Sequence, residues 1–195
     1  MNFVLINLLT VLLFRPTLIL CIRSRNILPA LPFGQYKLIF KMIKSCGILQ
    51  DNESFKFNFY LSHNPKSNVT EMKGNMTYSI PLDDTFFLEF NFAMKGADGH
   101  WKENTFIHKS PNGCSSIRNL LGTEWTKVMS GMGVKNATCP IPPGIYTASG
   151  VDTSIFSNIN IPKTFIYGTY KTRVFLSRFK EVYGCNIYVL EFKPF

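Results

Sequence analysis

The sequence predicts an all-β protein, an antiparallel β-sandwich with one short helical insertion at about residues 115–130. Apolar and polar side chains alternate in several short segments, as they do in strands with one buried face. Gly, Pro, Asn and Asp separate these segments at short intervals. Phenylalanine, which favours strands, occurs 18 times against two tryptophans. The resulting seven or eight strands, joined by short turns, are typical of an immunoglobulin-like sandwich.

Residues 1–22 are expected to form a signal peptide or apolar leader. Residues 3–14 have the length of a signal-peptide core and are too short to span a bilayer comfortably. No basic residue precedes this run, and Arg15 and Pro16 interrupt it. An uncleaved membrane anchor and a wrongly assigned start codon therefore remain alternatives.

A β-sandwich domain is expected at residues 35–195, after an irregular lead-in at residues 23–34. Residues 35–45 are apolar enough for a first strand, and residues 55–61 alternate Phe or Leu with polar side chains. Residues 69–80 form a weaker strand, with its glycine marking a bulge.

The clearest strand covers residues 86–95, where Phe90 and Phe92 share one face and Glu89 lies on the other. A turn at residues 96–99 leads to a short polar strand at residues 101–109. A Pro-rich turn at residues 139–144 leads to an extended segment at residues 145–148, and residues 151–162 are expected to be a loop or irregular strand. The last hairpin has an alternating strand at residues 170–177, a tip at Lys180 and Glu181, and a returning strand at residues 182–192.

From Cys114 the apolar period changes from that of a strand to that of a helix. Residues 115–121 can make two helical turns capped by a serine. Thr123 can cap a second helix that ends at residue 130, with Trp125, Val128 and Met129 as its apolar stripe.

Four cysteines outside the leader indicate two disulfides. They are even in number and widely spaced, and no CxxC pair is present to suggest zinc ligands. Disulfides persist in oxidising compartments, so the chain is expected to be secreted. Spacing alone does not choose among the three pairings of these cysteines, which are Cys46, Cys114, Cys139 and Cys185.

Sequons and charge fit an extracellular protein. Candidate N-glycosylation sites occur at Asn52, Asn68, Asn75 and Asn136. Without residues 1–35 the net charge is 18 − 12 = +6. That charge serves either solubility or attraction to an anionic membrane, and the scattered lysines favour solubility. No basic cluster suggests a nucleic-acid partner.

Catalytic chemistry finds no support in the motifs. The chain has only three histidines, His63, His100 and His108, and carries no nucleophile elbow, zinc-protease motif or phosphate-binding loop. We therefore expect a protein that is not an enzyme and has no metal or cofactor. The phenylalanine stripes fit either a solid core or a ligand cavity, because both are built from the same residues.

Several motifs resemble the ML-type lipid-recognition superfamily of β-sandwich proteins, and within it the ganglioside activators. These are Cys-Pro-x-x-x-Gly-x-Tyr at residues 139–146, Tyr-Gly-Thr-Tyr at residues 167–170 and Gly-Cys at residues 184–185. The chain is also similar to a related family of secreted insect proteins, through the motifs at residues 99–104, 109–114 and 122–125.

The resemblance implies a secreted lipid-binding or lipid-transfer protein that holds an apolar ligand between two sheets. An anionic membrane surface or a protein receptor would be a further partner. The alternative is a secreted interaction or signalling module with a filled core. The resemblance also implies the pairs Cys46–Cys185 and Cys114–Cys139. The candidate cavity residues, with the last two at the rim, are Phe57, Phe59, Phe90, Phe92, Val174, Leu176, Trp125 and Met129.

Overall fold

The computed structural model of the protein describes residues 32–47, 53–65 and 68–195. The predicted leader at residues 1–22 and the sequon at Asn52 lie outside the described residues. At the end of the predicted lead-in, Phe33 and Gly34 form a short strand paired with residues 165–166. The expectation of irregular structure is wrong there, because backbone hydrogen bonding from a distant segment orders these residues.

The strands among the described residues form three antiparallel sheets. The larger two, with strand orders β2-β10-β9-β5-β6 and β3-β4-β7, share one hydrophobic core, and β1 pairs with β8. The predicted all-β sandwich is confirmed. The strands are β1 (Phe33–Gln35), β2 (Lys37–Ser45), β3 (Phe55–Asn64), β4 (Val69–Tyr78), β5 (Phe87–Lys95), β6 (Trp101–Ser110), β7 (Gly144–Asp152), β8 (Thr164–Ile166), β9 (Gly168–Arg178) and β10 (Glu181–Lys193).

The predicted alternation is present in the long strands. In β3, Phe55 and Phe59 are buried, whereas Lys56 and Asn58 are exposed. The predicted bulge in β4 is confirmed, since its pairing with β7 shifts between Met72 and Gly74. The two strands beyond the predicted number are β1 and β8, which have three residues each. Segments that short carry no readable period.

A glycine lets the two sheets approach closely at one end of the sandwich. A Cβ atom on Gly184 in β10 would lie 2.5 Å from the Cβ of Phe55 in β3, too close for any real contact. Phe55 has no exposed surface, and its ring packs edge-on against Tyr78 and Phe86. The absence of a side chain at Gly184 therefore allows β10 to contact the most buried ring of the core.

The helical insertion is confirmed and consists of α1 (Gly113–Leu121), a 3-10 turn (Gly122–Glu124) and α2 (Trp125–Gly131). The predicted serine cap of α1 is wrong. The helix begins after Asn112, and the backbone N–H of Ser115 in its first turn donates to Asp84 at 2.8 Å. A carboxylate from outside the helix thus satisfies an N–H group that lacks a partner within it. The Thr123 cap is also wrong, because Thr123 lies within the 3-10 turn.

Neither helix in the described part of the chain has the length and apolar composition needed to cross a membrane. Both predicted disulfides are confirmed. Cys46–Cys185 joins the end of β2 to β10 with a Cα–Cα distance of 5.5 Å. Cys114–Cys139 joins the first turn of α1 to the segment before β7, at 5.9 Å.

Candidate functional site: a cavity between the sheets

A cavity of about 270 Å³ lies between the two large sheets. Apolar side chains from both sheets, both helices and a 3-10 segment (Thr153–Ser157) supply most of its wall. None of the lining residues carries a charge. They are Leu38, Phe40, Phe57, Phe59, Met72, Met76, Tyr78, Leu88, Phe90, Phe92, Ile117, Leu120, Leu121, Val128, Met129, Met132, Phe156, Ile159, Ile161, Thr172, Val174, Phe175, Leu176, Gly184, Asn186, Tyr188, Leu190 and Phe192.

Most of the cavity candidates from the sequence lie together on this wall. The facing sheets supply Phe57 and Phe59 from β3 and a matching set from β5 and β9. The strand register places Val174 beside Phe90, and Leu176 follows on the same face. The lining candidates are Phe57, Phe59, Phe90, Phe92, Met129, Val174 and Leu176.

Trp125 does not line the cavity, so this candidate is wrong. Its side chain is 5% exposed, and its indole N–H donates to the carbonyl oxygen of Ala137 at 2.7 Å. That hydrogen bond holds the ring within the core under the helices. Met129 lines the cavity but is also only 5% exposed. The expected rim position is wrong for both residues, because the apolar stripe of α2 faces inward.

Several apolar side chains of the wall are only half-buried. Among them are Phe90 and Phe92 on β5, and Ile117 and Leu120 on α1. On the edge strand β6, Phe106 is 52% exposed, and its ring centroid lies 5.6 Å from that of Phe92. The apolar surface therefore continues from the cavity wall to the outside of the sheet edge.

The polar side chains of the wall cluster on the inner face of β9 and β10. Asn186 is 2% exposed and Thr172 is 3% exposed. The amide oxygen and amide nitrogen of Asn186 have no hydrogen-bond partner among the described residues. The hydroxyl oxygen of Thr172 has none there either. A buried polar group without a partner costs about 1–3 kcal/mol. Neither residue is a cavity candidate from the sequence, although Thr172 belongs to the same alternating row as Val174.

Two tyrosines, Tyr78 and Tyr188, also line the cavity, and the second is the strand partner of Thr172. Burial raises the pKa of Tyr188, and the nearby Asn186 amide lowers this pKa by a smaller amount. The contact between the two side chains does not meet the distance and angle of a hydrogen bond. Burial raises the pKa of Tyr78 as well, with smaller contributions from Tyr188 and Tyr146. Both phenols therefore remain neutral in the folded protein over a wider pH range than in water.

Because of this burial, we expect stability to fall as pH rises above the ordinary tyrosine pKa of 10. The unfolded chain then loses phenol protons that the folded protein keeps, so the free energy of unfolding decreases with pH. The tyrosines contribute this stability in full at pH values below their pKa in the unfolded chain. The contribution is lost as the pH rises towards their higher pKa in the folded protein. Urea unfolding at about pH 8 and about pH 11 measures the change.

Tyr78→Phe should reduce that alkaline loss, because phenylalanine has no proton to lose. Tyr60→Phe is the matched control, since Tyr60 is 57% exposed on β3. We expect the control to lose as much stability as the natural protein over the same pH interval. An equal loss in Tyr78→Phe would contradict the assignment to this buried phenol.

The histidines do not form a catalytic arrangement with an acid. His108 Nε2 and Ser110 Oγ lie 2.8 Å apart on β6, and the imidazole stacks on Phe106. Among the described residues, no carboxylate forms a hydrogen bond or ion pair with the imidazole ring of His63, His100 or His108, and Asp98 accepts only from the backbone N–H of His100. A serine and a histidine without an orienting acid are only part of a hydrolase site.

The described sequons are accessible to solvent. Asn68, Asn75 and Asn136 are all exposed. Asn68 and Asn136 lie outside the strands and helices. Asn75 lies on β4, and its side-chain oxygen Oδ1 accepts from the side-chain nitrogen Nδ2 of Asn58 at 3.3 Å. Glycosylation at these positions stays a prediction.

The segment between β7 and β8 forms a part of the cavity wall that the sequence does not predict. The sequence predicts a loop or irregular strand there, yet Phe156, Ile159 and Ile161 line the cavity. Their spacing of three and two residues matches neither a helix nor a strand. The apolar content of residues 155–161 was the only available signal.

No known protein family has a model that matches this chain, and no curated protein matches it either. The resemblance to the ML-type superfamily therefore stays a prediction based on the motifs described above.

Proposed function

We propose that this protein is a non-enzymatic lipid-binding protein that holds one small apolar or single-chain molecule between its sheets. The observation that carries the proposal is the uncharged cavity of about 270 Å³ in the middle of the sandwich. The same space weighs against the alternative of an interaction module with a filled core. Protein interiors normally contain few voids larger than a water molecule.

The size of the cavity restricts the ligand. Its volume of about 270 Å³ lies just under the range of roughly 300–1,000 Å³ that is typical of small-molecule sites. A water molecule occupies about 30 Å³ in the liquid, so the cavity has room for about nine groups of that size. A single chain of about ten carbons fits this space.

Burial of the chain supplies the free energy of binding. Each methylene group removed from water contributes about 0.8 kcal/mol, which gives about 7 kcal/mol for nine groups. Part of this is lost to the ordering of ligand and side chains. We therefore expect a dissociation constant of roughly 10 µM or weaker.

The proposal includes an extracellular location, in which the ligand reaches the protein from a membrane or a carrier. Two disulfides join distant parts of the chain, as is usual in oxidising compartments. The half-buried rings of Phe90 and Phe92, with exposed Phe106 beside them, give an apolar molecule a continuous surface along which to enter. An anionic membrane or a receptor is a further proposed partner.

Ligand uptake by the purified, oxidised protein tests the proposal. We expect N-phenyl-1-naphthylamine, an uncharged fluorescent probe, to bind with one site per chain and to be displaced by 1-decanol. Native mass spectrometry of material from a eukaryotic secretory host should show additional mass that organic extraction removes. Reduced and unfolded protein is the control. A bare protein that takes up neither the probe nor decanol would contradict lipid binding.

A further inference from the structure

We propose that the ligand carries one uncharged polar group, such as a hydroxyl, which hydrogen-bonds to Asn186 and Thr172 inside the cavity. This inference rests on the proposed lipid-binding function and specifies the chemical class of the ligand. It predicts a preference for alcohols over hydrocarbons and over ionised fatty acids of the same length.

The two side chains are neighbours on the inner face of the five-stranded sheet. The register pairs Asn186 with Val174 and Tyr188 with Thr172, which places Asn186 and Thr172 diagonally across β10 and β9. Both line the cavity and are nearly fully buried. Diagonal neighbours on one face of a sheet are close enough to contact the same small group.

The unpaired atoms specify what this group must be. The amide of Asn186 has an acceptor oxygen and a donor nitrogen without partners, and the Thr172 hydroxyl can donate or accept. A ligand hydroxyl donates its proton to the amide oxygen and accepts from the amide nitrogen or the threonine. Such a group satisfies donors and acceptors that the protein itself leaves unpaired.

The absence of charge on the cavity wall excludes an ionised group from the same position. None of the lining residues is acidic or basic. A carboxylate or ammonium group buried here would have no counterion, and burial of an unpaired ion is strongly unfavourable. The site thus favours a neutral amphipathic molecule with its polar group in the middle of the cavity.

Competition between matched ligands tests the inference. The test measures how well three competitors displace N-phenyl-1-naphthylamine at about pH 8: 1-decanol, 1-chlorodecane and decanoate. Each competitor is titrated into the natural protein, Asn186→Leu, Thr172→Val and the double variant. We expect the ratio of decanol to chlorodecane affinity to fall by at least about tenfold in the double variant, since the leucine and valine cannot hydrogen-bond. Decanoate should bind at least about tenfold more weakly than decanol to the natural protein.

Met76→Leu is the matched control, because Met76 is a buried apolar residue of the same wall. It should change both affinities together and leave their ratio within about twofold. In the absence of ligand, Asn186→Leu should not lower the thermal midpoint, because the amide has no partner to lose. The same expectation holds for Thr172→Val, which tests the unpaired hydroxyl independently of the amide.

The outcomes separate the two proposals. Failure of the probe and of every competitor to bind the natural protein would overturn both lipid binding and this inference. An affinity ratio that is the same in the natural protein and the variants would overturn only the polar-group assignment, as would a preference for decanoate. A clearly lower midpoint in Asn186→Leu would also overturn it, by showing that the amide is already paired.

Discussion

Replacement of Cys46 and Cys185 by alanine is expected to reduce the free energy of unfolding by about 5 kcal/mol. The bond joins residues 139 positions apart, so it restricts most of the domain in the unfolded chain. Single domains are stable by only about 5–15 kcal/mol, and the variant should therefore be partly unfolded at room temperature or above. Urea unfolding and far-ultraviolet circular dichroism measure the loss.

The second disulfide is the matched control for this effect. Cys114 and Cys139 lie 25 positions apart, and the same chain-entropy relation gives about 3.5 kcal/mol for their replacement by alanine. The double variant that lacks Cys46–Cys185 should therefore have the lower urea midpoint of the two. Equal midpoints, or the reverse order, would contradict loop closure as the main source of the difference.

The first disulfide also holds one wall of the cavity in place. It lies directly after β2, which is at the edge of the five-stranded sheet and pairs with β10 on one side. β2 contributes Leu38 and Phe40 to the cavity wall. Loss of the bond should therefore weaken the binding of N-phenyl-1-naphthylamine at temperatures where the variant is still folded.

Local patterns in the sequence were sufficient to predict the long strands and the helical insertion. Phe55, Phe57 and Phe59 share one face of β3 because a strand has a period of two. Trp125, Val128 and Met129 are buried on α2 because a helix has a period near 3.6. In each case a single segment contains all the information that the prediction requires.

The environment of each side chain could not be predicted in the same way. Trp125 and Met129 belong to one buried stripe, yet only Met129 reaches the cavity. The difference depends on the Ala137 carbonyl, which is 12 residues away and accepts the indole hydrogen bond. No pattern within one segment can predict that contact.

The polar residues of the cavity wall also could not be predicted from the pattern of a single strand. Asn186 alternates with Gly184 and Tyr188, so the strand period alone places it on the inner face. A polar side chain in a buried row interrupts the apolar pattern. For that reason the row of β10 that contains Asn186 was not predicted to line the cavity. The space between two facing sheets depends on the sizes of the side chains on both sheets. The pattern of one strand contains no information about the side chains that it faces.

Val174→Trp is expected to weaken ligand binding by roughly 50-fold while the protein stays folded. Val174 lies in the middle of the cavity wall, with Phe90 on one side and Asn186 on the other. An indole placed there occupies the space of about three methylene groups of the ligand. Their loss costs about 2.4 kcal/mol, which corresponds to the expected factor. Titration with N-phenyl-1-naphthylamine measures it.

Arg173→Trp is the matched control, because Arg173 is exposed on the other face of the same strand. The same side chain is introduced one position away but outside the cavity, so the affinity should remain within about twofold. The contrast between the two tryptophan variants separates occupation of the cavity from a general effect of a large residue on β9.

Thermal stability of Val174→Trp decides between a cavity and a solid core. In a filled core the larger side chain would force its neighbours apart, at a typical cost of 1–3 kcal/mol. In a cavity of about 270 Å³ it has room and gains contacts, so the midpoint should stay the same or rise. A destabilised variant would therefore argue for the filled-core alternative, and unchanged ligand affinity would show that the ligand binds elsewhere.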